Sequence, residues 1–415
     1  MLTPASSRQP GAFDHQGPAP YTDDSSQPGR SDDANSGFWW RGSSGSGSTP
    51  LWDTDPHGFW RSGEPDRHSE YVGQHHGRRT EQQQDLITSV LHRAAGLTIS
   101  ADRPLPGFMP AAGQPREDLR IHLEKRPRWH QAPCLPRYAA DTVDSTGQPI
   151  VTVSRSHDGF HFLYADGTRA WISATGTDVW CTWPEAASLA DTCTYLCGPI
   201  LGLVLRLRGA LSFHASAVQA GAGAIAFVGP HDAGKSTLAA ALASAGCPVV
   251  TDDVLHVRLE GMRWVAEPFT TMLKLWPDGA RLALGDPVDL PVIADGWDKR
   301  ALIPGPRIPA AAGPVPLTAI ACLGARGTDA AIEPITAGSA LIRLAANSSA
   351  SHLLEPEARA TEFRALAALV RSIPCVSLTP PTDPALFPAF VTRVLAWARQ
   401  MDDAGAHERD GSAAH

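Results

Sequence analysis

The 415-residue sequence predicts an α/β fold, and three observations carry that expectation. From about Leu211 to Gln400, short apolar runs alternate with helix-compatible segments, as in a sheet covered by helices. One run, Ala224-Ile-Ala-Phe-Val228, leads into Gly229-Pro-His-Asp-Ala-Gly-Lys235-Ser236, a glycine-framed loop followed by a good helix that Gly246 and Pro248 stop. A second run, Val249-Val250, ends on paired carboxylates, Asp252-Asp253.

Residues 1 to about 84 are rich in Gly, Ser, Pro, Asp, His and Gln, with Ser43 to Thr49 reading SSGSGST. Such a segment holds too little apolar surface to offset the entropy of ordering, so a disordered extension is expected. Its aromatic clusters, Phe38-Trp39-Trp40 and Trp52 with Phe59-Trp60, could serve as short adhesive motifs or belong to a non-functional extension. A helix is expected over Leu86 to Leu97, capped by Gly96. Between about 115 and 182, short β runs are separated by turn residues, notably His157-Asp-Gly and Ala165-Asp-Gly-Thr, which signal hairpins. Residues 185 to 206 are apolar and read as a buried helix, interrupted by Gly198-Pro199. This gives a β-rich region with flanking helices over 85–206, an α/β domain over 207–400 and a disordered tail over 401–415.

In the α/β region the expected strands include Leu317 to Leu323 and Val376-Ser-Leu. The expected helices are Ala337 to Ala346, Ala358 to Arg371 and a closing one from Phe387 to Arg399.

Composition excludes some functions. A net charge of −8 without like-charge runs argues against nucleic acid or an anionic membrane as a partner. There is no apolar stretch of about 18 residues, and the first residues lack the charged start and apolar core of a signal peptide. A cytoplasmic location is expected. Seven cysteines at no framework spacing read as reduced thiols, and Cys193 with Cys197, four apart, read as core packing.

The loop carries the chemistry. Gly229 and Gly234 let the backbone form a cradle of N–H groups, Lys235 reaches terminal phosphates and Ser236 offers a hydroxyl to Mg²⁺. Pro230, His231, Asp232, Ala233 and Thr237 complete the expected nucleotide-binding segment, for ATP with Mg²⁺. Asp232 would oppose the phosphates unless turned outward. Asp252-Asp253 lie 23 residues after Gly229, at the end of a strand expected beside the loop strand, where such sheets place ligands. Paired carboxylates there can divide the work between metal and base. His214, 15 residues before Gly229, is by itself an ordinary strand histidine.

Taken together, His214-Ala-Ser-Ala-Val, the glycine-framed loop ending Gly-Lys-Ser-Thr, and Thr251-Asp252-Asp253 resemble the catalytic domain of HPr kinase/phosphorylase. Its stand-alone relatives, such as the kinases of lasso-peptide clusters, resemble the chain more closely. The resemblance spans about 115 to 400 and extends to Leu273-Lys-Leu-Trp-Pro-Asp and Asp298-Lys299-Arg300-Ala-Leu-Ile-Pro. It implies a P-loop kinase-like domain of the HPr kinase/PEP carboxykinase type, preceded by a smaller β-rich region and a disordered N-terminal extension. In site terms it implies Asp252 as base for a serine hydroxyl, His214 as its helper, Ser236 and Asp253 as metal contacts, and Lys299 and Arg300 as phosphate or substrate contacts. The amino-terminal domain and the glycine-rich signature loop of the bifunctional enzymes are missing from the chain, which argues against a reverse phosphorylase activity and against HPr as substrate.

The expected acceptor is a hydroxyl on a peptide, protein or small molecule, and a homo-oligomer stays open. A small-molecule kinase would show a closed, apolar substrate pocket. The alternative to a kinase is a non-catalytic, nucleotide-responsive binding module.

Overall fold

The computed structural model describes residues 89–113, 115–269, 272–285, 289–293 and 298–412, with side chains described as far as residue 402. The extension over 1–84 and its aromatic clusters lie outside the described residues. Within them the chain is mixed α/β, built on two large sheets.

Instead of the expected helix over Leu86–Leu97, the described part forms a hairpin, β1 (Val90–Ala94) and β2 (Leu97–Ala101). Ala95 and Gly96 both take positive φ, 50° and 80°, as a two-residue primed turn requires. Gly96 therefore turns a hairpin rather than capping a helix. The run continues through β3 (Met109–Pro110), β4 (Leu119–Leu123), β5 (Leu135–Ala139), β6 (Val151–Arg155), β7 (Gly159–Tyr164), β8 (Arg169–Ser173) and β9 (Asp178–Thr182). Among the described residues these form one sheet in the order β3-β1-β2-β4-β9-β8-β7-β6-β5. The Asp-Gly turns join β6 to β7 and β7 to β8, as their sequences predict.

One face of this sheet packs on the apolar stretch expected as a buried helix. It comprises α1 (Leu189–Tyr195) and α2 (Leu201–Leu207), joined by a π-helical turn at Leu196–Ile200, where Gly198 leaves helical geometry ahead of Pro199. Cys193, Leu196, Ile200, Leu201 and Val204 are buried there with Ile99, Ile121, Phe162 and Ile172. Cys193 packs in the core as expected, while Cys197 is half-buried.

The second sheet is built from β10 (Leu211–Phe213), β11 (Ala215–Ala220), β12 (Gly223–Val228), α3 (Lys235–Ser244), β13 (Val249–Thr251), β14 (Leu255–Glu260) and β15 (Arg263–Glu267). A two-stranded pair, β16 (Leu273–Leu275) with β17 (Arg300–Leu302), brackets α4 (Pro277–Leu284). The chain closes with β18 (Val315–Leu323), β19 (Ala331–Pro334), α5 (Ala337–Ala346), α6 (Pro356–Ser372), β20 (Cys375–Thr379) and α7 (Phe387–Ser412). The described order is β10-β14-β15-β18-β12-β11-β13, with β20 pairing β18 and β19.

Alternation along β12 sets the layers. Ile225 and Phe227 face α3 and α7, where Leu238, Phe390 and Val394 are buried. Ala224, Ala226 and Val228 face α5 and α6, against Leu344, Leu366 and Leu369. All six β12 residues are buried, as a central strand of a helix-covered sheet requires.

Two expectations need correction. The Asp-Asp strand β13 does not adjoin the loop strand: β11 lies between, antiparallel to both. Strand adjacency depends on long-range pairing, which the spacing of motifs does not encode. The closing helix also continues past Arg399 through the expected tail to Ser412, and Asp402 anchors the extension by accepting a hydrogen bond from Ala222 N at 2.8 Å.

Both sheets belong to one compact unit. His256 Nδ1 lies 2.7 Å from the carbonyl of Ala95 at the hairpin turn, and Val254, Phe269, Leu353 and Leu354 enter the core of the first sheet. A buried ion pair, Arg206–Glu362 at 2.7 Å, ties α2 to α6. Among the described residues no helix is long and apolar enough to cross a membrane.

Candidate functional site

The loop from Gly229 to Gly234 leaves the buried end of β12 and opens α3 at Lys235. Gly234 is the N-cap residue at φ 94°, a left-handed geometry that side chains resist. At Gly229 a Cβ would stand 2.8 Å from the Leu323 carbonyl oxygen, so β18 backs the loop too closely for any side chain. The first N–H groups of α3 have no intrahelical partner and favour an anion, so the local backbone is that of an anion cradle.

Asp232 takes φ 59°, tolerated by aspartate, and its side chain is half-exposed. Its carboxylate accepts a hydrogen bond from Trp276 Nε1 at 2.9 Å and lies 3.1 Å from His231 Nδ1. Burial would raise its carboxyl, but the Trp276 bond, His231 and Lys299 together lower it. Thr237 packs against Gly279 of α4, whose Cβ position lies 2.6 Å from Thr237 Oγ1.

Lys235 is buried, with Nζ donating to the carbonyls of Gly229 (2.9 Å) and Pro230 (2.8 Å) of its own loop. Burial draws its ammonium down to about 8, against the opposing pull of Asp252 and Asp253.

Asp252 is the hub. Oδ1 accepts the hydroxyls of Ser216 (2.6 Å) and Ser236 (2.8 Å), and Oδ2 accepts Lys274 N at 2.9 Å. Burial, then the charge of Asp253, raises its pKa above the ordinary carboxylate value; the three hydrogen bonds offset only part of this. Asp253 behaves oppositely. At φ 70° it directs its carboxylate to Lys274 Nζ, 2.7 Å away, and although burial would raise it, Lys274, His214 and Lys299 hold it well below the usual range.

His214 is brought to Asp253 rather than to Asp252: its Nδ1 lies 3.2 Å from the Asp253 carbonyl oxygen. Because a carbonyl only accepts, Nδ1 carries the hydrogen and Nε2 is left as the acceptor. Burial and then Lys235 lower its pKa to about 4, so the ring is neutral at pH 7; it lies parallel to His231, with centroids 6.1 Å apart. Ser236, expected beside Asp253 as a second metal contact, hydrogen-bonds Asp252, while the Asp253 carboxylate pairs with Lys274. His214, expected to assist Asp252, reaches the backbone carbonyl of Asp253.

Lys299 reaches the site, with Nζ 5.2 Å from the centre of the Trp276 ring and its charge acting on Asp232, Lys235 and Asp253. Arg300 is held by its backbone in β17 opposite Leu275. Sequence reasoning gave no role to Lys274, Ser216 or Trp276, although all three lie in segments that carry the resemblance, Ser216 in His214-Ala-Ser-Ala-Val and the others in Leu273-Lys-Leu-Trp-Pro-Asp. Their contacts with Asp252, Asp253 and Asp232 depend on strand pairing that those segments do not encode.

No family model matches the chain, and no curated protein matches it. Among solved structures, the Hpr(Ser) kinase/phosphatase from Coxiella burnetii is similar at 12% identity, over 49% of this chain and 99% of that one, with a TM-score of 0.25. With so loose a superposition, the chemistry has to rest on this chain's own geometry.

Proposed function

We propose that the protein is an ATP-dependent kinase that transfers the γ-phosphate to a serine or other hydroxyl of a peptide, protein or small molecule. The observation that carries this reading is the convergence of the cradle's Ser236 on Asp252, with Lys235, Lys274 and Lys299 around the same point. Phosphoryl transfer needs mainly positioning and charge stabilisation. The cradle and Lys235 would hold the phosphates, and Lys299 would stabilise charge on the group in flight.

Asp252 is the base in this reading. Its raised pKa brings it closer to neutral working pH than Asp253, whose ion pair leaves it a weak proton acceptor. Hard-oxygen donors suit Mg²⁺, which keeps much of its water and phosphate shell, and the hydroxyl of Ser236 would supply one of them at the mouth of the cradle. Bound there, Mg²⁺ would neutralise phosphate charge. Asp253 and the neutral His214 position Lys274 and the loop rather than touching substrate.

A specific observation favours a second reading, a nucleotide-responsive binding module. Asp252 already accepts three hydrogen bonds, and Lys235 already bonds its own loop. The deciding experiment incubates wild type and Asp252→Asn with terminally labelled ATP, Mg²⁺ and a cell lysate. Phosphorylation made only by the wild type supports the kinase; nucleotide binding by both with transfer by neither supports the module.

A further inference from the structure

The two carboxylates stand to one side of the cradle strand: β13, which leads to them, lies beyond β11, and Ala190, Cys193 and Thr194 of α1 line a pocket beside Asp252. On the other side of β12 runs β18, parallel to it, with Val228 opposite Cys322. Parallel strands end at the same edge of a sheet, so the segment that follows β18 emerges beside the cradle. That segment carries Arg326. Its Nη2 lies 3.9 Å from the position a Cβ would take on Gly234, the residue that opens α3. An exposed loop arginine ordinarily wanders in solvent, but here the backbone is pinned on both sides of the residue. Gly324 N donates to the Leu378 carbonyl at 2.9 Å, Gly327 N donates to the Pro380 carbonyl at 2.9 Å, and Thr382 N donates to the Gly327 carbonyl at 2.8 Å. Gly327 is also pressed against Thr379, whose Cγ2 lies 2.9 Å from its Cβ position. Arg326 itself is exposed and makes no ion pair or side-chain hydrogen bond among the described residues, so its donors are uncommitted. Lys235, by contrast, is already bonded to its own loop.

We propose that Arg326 is a phosphate clamp, closing the cradle from the side opposite Asp252 and gripping oxygens of the α- and β-phosphates of bound ATP. The proposal rests on the nucleotide-binding part of the kinase reading and deepens it. Placement supplies the assignment. In a glycine-framed loop of this kind the backbone N–H groups hold the α- and β-phosphates, while the lysine reaches on toward the γ end. Arg326 stands beside Gly234 of that backbone, whereas Ser236 meets Asp252 on the carboxylate side. Chemistry supplies the rest: a planar guanidinium presents paired N–H donors that match two phosphate oxygens, and such charge-assisted bonds are about twice as strong as neutral ones. The pinned backbone reduces the entropy lost when the side chain engages. Because ADP keeps both phosphates, the contact is made before and after transfer. It is therefore uniform binding, which sets affinity without raising kcat.

The test uses the full chain with Mg²⁺ and three probes, ATP, ADP and inorganic tripolyphosphate, titrated calorimetrically into wild type, Arg326→Ala and Arg326→Lys. Arg326→Ala should weaken all three by about tenfold or more and by the same factor. Arg326→Lys should fall in between, because it restores the charge but not the fork. An exposed side chain without partners should leave the denaturation midpoint unchanged; if the alanine variant shifts it, Arg326→Gln, which keeps the stem, takes its place. In labelled-phosphate release, KM for ATP should rise by the same factor while kcat holds, and a fall in kcat at unchanged KM overturns the clamp. Weaker ATP and ADP with tripolyphosphate unaffected puts the guanidinium on the nucleoside, and weaker ATP alone puts it on the γ-phosphate; either result overturns the clamp. So does a folded variant that binds all three as tightly as wild type, which leaves the nucleotide reading standing. If wild type binds none of the three, the cradle itself fails and the nucleotide reading falls with the clamp.

Discussion

Ser236 Oγ donates to Asp252 Oδ1 across 2.8 Å, and Ser216 Oγ donates to the same oxygen across 2.6 Å. The first hydroxyl comes from the anion cradle and the second from β11, the strand inserted between the loop strand and the Asp-Asp strand. One buried carboxylate oxygen thereby connects three elements that are separate in sequence.

That carboxylate is held at a cost. Its raised pKa means that the charged form is disfavoured by folding, so its stability contribution is present at low pH and is lost as pH rises through the raised value. Asp252→Asn removes the charge and its repulsion with Asp253. We expect the variant to bind ATP, lose transfer, and melt about 2 °C higher than wild type at pH 7, read by calorimetry.

Lys274 is the partner that keeps Asp253 charged inside the protein. Lys274→Met leaves that carboxylate buried and unpaired and should destabilise the protein by about 3–5 kcal/mol in denaturant unfolding. Adding Asp253→Asn should restore most of the loss. A double variant no more stable than Lys274→Met alone would mean the ion pair is not what the lysine contributes.

Lys235 sets the pH response of nucleotide binding. Burial draws its ammonium down to about 8 despite Asp252 and Asp253, and phosphate oxygens would raise it. Affinity should therefore be flat below pH 8 and fall above it, approaching about tenfold per pH unit, with proton uptake on binding near pH 8. Titration calorimetry in buffers of different ionisation enthalpy reads this directly. His214, lowered to about 4, should add no inflection near pH 6.5.

At Gly229 a methyl group would meet the carbonyl of Leu323, which is backbone and cannot yield as a flexible side chain does. Gly229→Ala should therefore displace the cradle and weaken ATP binding by about tenfold or more, with a smaller effect on unfolding. Comparing ATP affinity with denaturation midpoints separates the two.

Arg206 and Glu362 pair with side chains almost fully buried, and Ser351 also bonds Glu362. Glu362→Ala should cost about 3–5 kcal/mol because it strands a guanidinium between α2 and α6. A loss near that of an exposed pair, about 1 kcal/mol or less, would show that water reaches the site.

The hairpin turns of the first sheet, the buried strand β12, the cradle and the helix after it were legible because each is local. Asp-Gly turns, apolar runs and glycine framing act within a few residues. The hairpin at Ala95-Gly96 was misread as a helix end because a glycine can supply positive φ to either, and only pairing of β1 with β2 decides between them. Likewise, the sequence names both carboxylates but cannot say which meets Ser236. That depends on the left-handed turn at Asp253 and on Lys274, 21 residues further on.

By itself, then, the sequence determined the helix-covered sheet and the chemical inventory of the site: a glycine-framed loop with Lys235 and Ser236, two carboxylates and a histidine. Tertiary structure alone decided that β11 separates the two motif strands, that Ser216 and Lys274 join the site, and that residues of α1 line a pocket beside Asp252. The reason is physical. Local motifs are set by backbone preferences of neighbouring residues, while strand order, charge pairing and cavities arise only when distant segments bury against one another.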